Sequence, residues 1–198
     1  MRYTTRLWDL VMQNFSDEQV AELRWVAAEK RVACPRILEF DHGLGCPSLD
    51  CLTGKLKGSF AVSDRDIFRP LQYCAANIQA LHCGGEALWV TRHTVQMSGL
   101  HLESLLKRIG GGMRLPLGAA LRRQLAKQRI PGPLWQSISA FADVYNATKR
   151  EVNHPADTHL FSGSDSILAY LVSRKLGRTL YGLARLKTDL GAPMPSGK

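Results

Sequence analysis

The chain has 198 residues, enough for a domain with a real core, and its 45% hydrophobic and 22% charged residues read as an ordinary globular protein. No run approaches the roughly 18 apolar residues that a membrane-spanning helix needs, so no membrane partner is expected. The formal charge of +9 is unevenly placed: residues 1–103 hold 11 Lys/Arg against 12 Asp/Glu, whereas residues 104–198 hold 15 against 5.

A neutral half joined to a strongly basic half points to a polyanion partner, nucleic acid, on the second half. Five cysteines, an odd number, with no apolar leader-like run at the start, lead to the expectation of reduced thiols in a cytoplasmic protein. The pattern of elements predicts a mainly α protein, a bundle of about six helices forming a single helical domain over residues 1–190. Residues 1–65 are a candidate N-terminal appendage on a basic helical core at 66–190. The Gly/Pro/Ser-rich residues 191–198 are an expected disordered tail.

In chain order, residues 3–30 carry two helical patterns. Ser16 is the expected N-cap of the second, with acidic residues in its first turn and Val20, Leu23 and Val26 on its apolar face. Glycines at 43, 45, 54 and 58 and prolines at 35 and 47 then predict an irregular segment at 31–63, with short strands around Arg36–Phe40. This segment also contains Cys34, His42, Cys46 and Cys51. Their spacing fits no zinc knuckle or ribbon, so no metal and no cofactor is expected, and packed thiols are the preferred reading.

Residues 66–109 read as helical, opened by a capping box at Ser63–Asp66, perturbed at Pro70 and broken near Gly84–Gly85. Beyond the break, Leu88, Val95, Leu102, Leu105, Leu106 and Ile109 form an apolar stripe that Trp89 and Met97 widen. Arg92, His93, His101 and Glu103 lie in the same segment. Residues 116–130 form a shorter helix carrying the densest basic cluster, Arg122, Arg123, Lys127 and Arg129.

The stretch from Pro133 to Pro155 divides cleanly on a helical projection. Leu134, Ile138, Phe141, Tyr145, Thr148 and Val152 make a core stripe. Ser139, Asp143, Asn146, Arg150 and His154 make a polar stripe on the opposite side, with Lys149 beside it. The last helix, from about Ser166 to Lys187 and capped by Ser164 or Asp165, pairs with it as an antiparallel hairpin. It carries a core stripe of Leu168, Val172, Leu176, Leu180 and Leu183. Its second stripe, Tyr170, Arg174, Arg178, Tyr181 and Arg185, interleaves arginines and tyrosines, as a face that holds phosphates and stacks bases would.

Arg150 and His154 could carry chemistry. An imidazole titrates near neutral pH and can move a proton to or from a 2′-hydroxyl or a leaving oxygen. A guanidinium can hold a phosphate and offset charge that develops on it. A helix ending in basic residues, an Asn and a His, then a loop and another amphipathic helix, resembles the HEPN superfamily over residues 134–187. Many members of that superfamily are ribonucleases of toxin–antitoxin, CRISPR and phage-defence systems.

The resemblance implies a helical bundle, a metal-independent endoribonuclease and a site built at a homodimer interface. The family motif places four to six residues between Arg and His. Here three separate Arg150 from His154 and four separate Lys149 from it, so either cation can stand as the phosphate holder. The alternative function is a non-catalytic α-helical module that binds nucleic acid or assembles with a protein partner.

Overall fold

A computed structural model describes residues 2–28, 34–44, 65–82, 87–109, 117–126, 130–153 and 161–191. Among them are eight helices and no strand: α1 (Arg2–Asn14), α2 (Asp17–Ala28), α3 (Cys34–Gly43), α4 (Arg65–His82), α5 (Ala87–Ile109), α6 (Leu117–Ala126), α7 (Gly132–Asn153) and α8 (Gly163–Gly191). The mainly α expectation is met, with more helices than the six read from the sequence.

The ends of these helices follow from local chemistry. Ser16 caps α2 reciprocally with Gln19: Gln19 N donates to Ser16 Oγ at 3.3 Å, and Ser16 N donates to Gln19 Oε1 at 3.2 Å. At α8 the cap is Ser162, not Ser164 or Asp165. Its Oγ accepts from Asp165 N at 3.1 Å, while Asp165 Oδ2 accepts from Ser162 N at 2.9 Å. Asp165 thus serves as the acidic third residue of a capping box and lies at the positive end of the helix. The helix α6 begins under a borrowed carboxylate, Leu117 N donating to Glu103 Oε2 of α5 at 3.1 Å.

The strands expected around Arg36–Phe40 are helix instead. Pro35 sits in the first turn of α3, where its missing donor costs nothing, and Ile37, Phe40, Asp41 and Leu44 recur at helical spacing and are buried. The capping box at Ser63–Asp66 and the Gly84–Gly85 break lie outside the described residues, as do residues 45–64 and the tail from 192.

The core is centred on α5 and α8, which pack on each other more extensively than any other pair. Against this pair lie α4 on α5, α1 on α8 and α7, and α6 between α5 and α7. The helices α2 and α3 also reach α8, so the described N-terminal helices share one buried cluster with the rest. The expected α7–α8 hairpin is corrected accordingly: those two helices touch only narrowly, because α7 gives its stripe mainly to α1, α5 and α6.

Small residues allow the two central crossings. A Cβ at Gly177 of α8 would overlap the His101 ring on α5, and one at Gly99 of α5 would overlap the Tyr145 ring on α7. Buried hydroxyls on these helices return to their own backbone: Thr94 donates to Val90 O at 2.8 Å, Ser98 to Thr94 O at 2.8 Å and Ser173 to Tyr170 O at 2.7 Å. No described helix is long and apolar enough to cross a membrane.

Candidate nucleic-acid interface

The polar stripe of α7 is half-buried at Ser139 and exposed further along the helix. Ile138, Phe141, Tyr145 and Thr148 are buried, while Asp143 and Asn146 are exposed on the other side. Asp143 accepts from Arg6 Nη1 of α1 at 3.1 Å, so α1 borders this stripe. The helix continues through residues 149 and 150 to Asn153. The side chains of Lys149 and Arg150, the whole of His154 and the side chain of Arg185 lie outside the described residues. The helix α6 presents Arg122 and Arg123, both exposed, and neither enters an ion pair found among the described residues. Lys127 and Arg129 lie outside them.

The second stripe of α8 is mostly not a surface. Arg174 is 2% exposed and Tyr170 1%. The Arg174 guanidinium is held in two-pronged fashion by Asp41 of α3, Nε donating to Oδ1 at 2.7 Å and Nη2 to Oδ2 at 2.8 Å, and Tyr170 Oη donates to the same Oδ2 at 3.4 Å. Tyr181 is buried with its ring edge-on to Phe68, centroids 5.2 Å apart. Arg178 is exposed but donates to the carbonyl of Leu44 at the end of α3.

Tyr170, Arg174 and Tyr181 are therefore corrected from candidate RNA contacts to core groups, and Arg178 joins Arg174 in securing α3. A projection of α8 alone showed two stripes and no reason to bury the polar one. That reason is Asp41, 133 positions away in sequence.

Two residues that the sequence marks only as polar members of the α5 segment, Glu103 and His101, are buried polar centres. Glu103 joins three elements: it accepts from Lys107 Nζ at 2.6 Å, caps α6 and bonds the Tyr145 hydroxyl. Burial, then the Glu103 charge, pushes Tyr145 up to about 12. His101 donates from Nδ1 to Ile67 O of α4 at 2.8 Å, which leaves Nε2 unprotonated beside Gly177. Burial lowers its pKa to about 3, with the nearby Arg174 charge acting in the same direction against the bond to Ile67. A neutral, fully enclosed imidazole is a packing group here.

On the outside of α4 and α5 the stripe assigned to Trp89 is also corrected. Trp89 is 66% exposed whereas Val95 of the same stripe is buried, and the Arg92 guanidinium lies 4.9 Å from the Trp89 ring centroid. The sequence held a signal for this, since Arg92 and His93 follow Trp89 by one turn and mark a wet face. Elsewhere, a depression of about 480 Å³ between α1, α7 and α8 is lined by Asn14, Ser137, Lys175 and Thr179 among others.

Three or more His, Cys, Asp or Glu side chains do not converge on a metal-sized site anywhere among the described residues. Of the proposed thiol cluster, His42 is exposed on α3, while Cys46, Cys51 and the Cys34 side chain are outside the described residues. Cys74 is buried, its Sγ donating to Thr94 O at 3.4 Å and lying 3.5 Å from Ser98 Oγ. No protein-family model, no curated protein and no solved structure matches this chain.

Proposed function

We propose that this chain is an HEPN-like, RNA-binding protein whose basic second half holds the polyanion. Within it, Arg150 of α7 and His154, the next residue in sequence after Asn153, form a metal-independent endoribonuclease centre, completed by a second copy of the chain. The observation that carries the binding reading is the concentration of charge, 15 Lys/Arg against 5 Asp/Glu in residues 104–198, together with the exposure of Arg122 and Arg123. Support for the catalytic reading is the run of α7 through residue 150 to Asn153, with exposed Asn146 one turn earlier on the same side. In this reading His154 moves the 2′-hydroxyl proton, and Arg150 or Lys149 offsets charge on the phosphate.

The second reading is a non-catalytic α-helical module that binds nucleic acid or a protein partner. It is favoured by the burial of Tyr170, Arg174 and Tyr181, which removes three groups from the RNA-facing inventory. The deciding experiment incubates the protein with varied RNAs in EDTA. Cleavage leaving 2′,3′-cyclic phosphate ends, lost in His154→Ala with an unchanged thermal midpoint, supports the ribonuclease. Arg150→Ala and Lys149→Ala then identify the phosphate holder. Binding without any cutting replaces the nuclease with the non-catalytic module, and unfolding of His154→Ala makes the histidine structural.

A further inference from the structure

Three of the four large hydrophobic side chains left exposed among the described residues are aromatic, and two of these, Tyr73 (49%) and Trp89 (66%), stand on the paired helices α4 and α5. They do not stand alone. The Tyr73 and His93 rings lie side by side across the helix pair, centroids 6.4 Å apart and tilted by 58°. Asn77, one turn along α4 from Tyr73, bonds His93 Nδ1 at 2.9 Å and fixes the imidazole plane. Trp89 precedes His93 by one turn of α5, and Arg92 holds its guanidinium 4.9 Å from the indole centroid. Arg69, exposed, precedes Tyr73 by one turn of α4.

We infer that this outer face of α4 and α5 is a base-stacking platform for single-stranded nucleic acid, with Trp89 and Tyr73 as the stacking rings and Arg92 and Arg69 on the phosphates. The inference rests on the RNA-binding reading and extends it from the basic second half to a surface in the neutral half. Rings whose planes are held by neighbours lose little freedom when a base stacks on them, and every base offers a π-face, so such a surface needs no sequence preference.

Charge distinguishes this occupant from a protein. The formally charged side chains described on this face are both arginines, and none is a carboxylate. A protein-docking face would share the aromatic and arginine content but would centre on a contiguous apolar patch. Here Met97 and Leu100, the neighbouring aliphatic groups, are half-buried against the core.

The test measures binding of a fluorescein-labelled 12-nucleotide oligouridylate to the full chain by anisotropy, across a salt series. Trp89→Ala should raise Kd about fivefold or more at fixed salt without changing the salt slope, because an indole displaces no counterion. Trp89→Phe should retain most of the affinity. Tyr73→Ala, on the other helix, should weaken binding in the same sense and supplies a second variant independent of the first.

Both rings are exposed, so both alanine variants should keep the wild-type melting temperature. If wild-type protein binds while Trp89→Ala and Tyr73→Ala bind within twofold of it, the platform is overturned and the RNA reading stands. If wild-type protein does not bind the oligonucleotide at all, that reading falls and the platform with it. If either alanine variant alters sedimentation of the protein by itself while RNA affinity is unchanged, the face is a protein contact and the inference is wrong.

Discussion

The arginines of α8 and those of α6 share a side chain and a half of the chain, yet they have opposite roles. Arg174 lies at the centre of the molecule, 2% exposed, with both prongs on Asp41. Arg122 and Arg123 stand in water on α6. A guanidinium taken out of water must have its charge matched and its donors satisfied where it sits, so Arg174 is committed to one carboxylate. An exposed guanidinium keeps its hydration and can exchange it for a phosphate at little loss. The distinction separates cations that hold helices together from cations that can hold a partner. A count of Lys and Arg merges the two.

The largest effect expected from breaking this contrast is at the buried pair. Arg174→Ala leaves Asp41 charged and enclosed, and should destabilise the fold by about 3–5 kcal/mol, read as a lower urea midpoint. Replacing both partners, Asp41→Leu with Arg174→Met, should recover most of that loss, since no lone charge then remains inside. A single variant as stable as wild type would show that Asp41 and Arg174 do not depend on each other.

The next effect is one of pH. His101 is neutral in the fold, with its pKa down at about 3 chiefly through burial. The unfolded chain takes up a proton below about pH 6.5 that the folded chain refuses. Stability present above pH 6.5 should therefore fall as the pH drops toward 3, by about 1.4 kcal/mol per unit from this group. Denaturation curves from pH 6.5 to 4.5 should steepen this loss in wild type relative to His101→Gln, which retains a donor for Ile67 O. Equal slopes would remove His101 as the cause.

A smaller loss follows at the helix crossing beside it. Gly177→Ala places a methyl group against the His101 ring, and should destabilise by about 1–3 kcal/mol as α5 and α8 are pushed apart. Gly182→Ala, a position with open space around it, is the control in the same helix and should be neutral or slightly stabilising. Both melts can be followed by circular dichroism.

Arg122→Ala with Arg123→Ala should have the least effect on stability, within about 0.5 kcal/mol. The contrast sharpens there, because RNA affinity should fall and the slope of log Kd against log salt should drop by roughly one per arginine in contact. An unaltered slope would place the polyanion elsewhere on the chain.

Much of the fold could be read from local signals. Ser16 with Gln19, the spacing of Ile138, Phe141 and Tyr145, and the apolar residues from Val95 to Ile109 each specify a helix and its buried side from a few consecutive turns. The strand reading at Arg36–Phe40 failed because nearby glycines and prolines outweighed a period of three and four over a short run. Of the candidate site, the exposure of Asn146 follows from the helical projection of α7, since one wet side is a property of a single helix.

Amino-acid order by itself determined that the chain is helical, where several of its helices begin, and that its second half is basic. Those are properties of near neighbours and of composition. Tertiary structure alone decided that the Tyr170–Arg174–Tyr181 side of α8 faces inward, and it left bare the wet side of α5 that Arg92 and His93 mark around Trp89. A helix projection reports which residues share a side, but not how many sides will be covered. For α8 the covering group is Asp41, brought to Arg174 across 133 positions by the packing of α3. For Trp89, no described helix covers the face that it shares with Arg92.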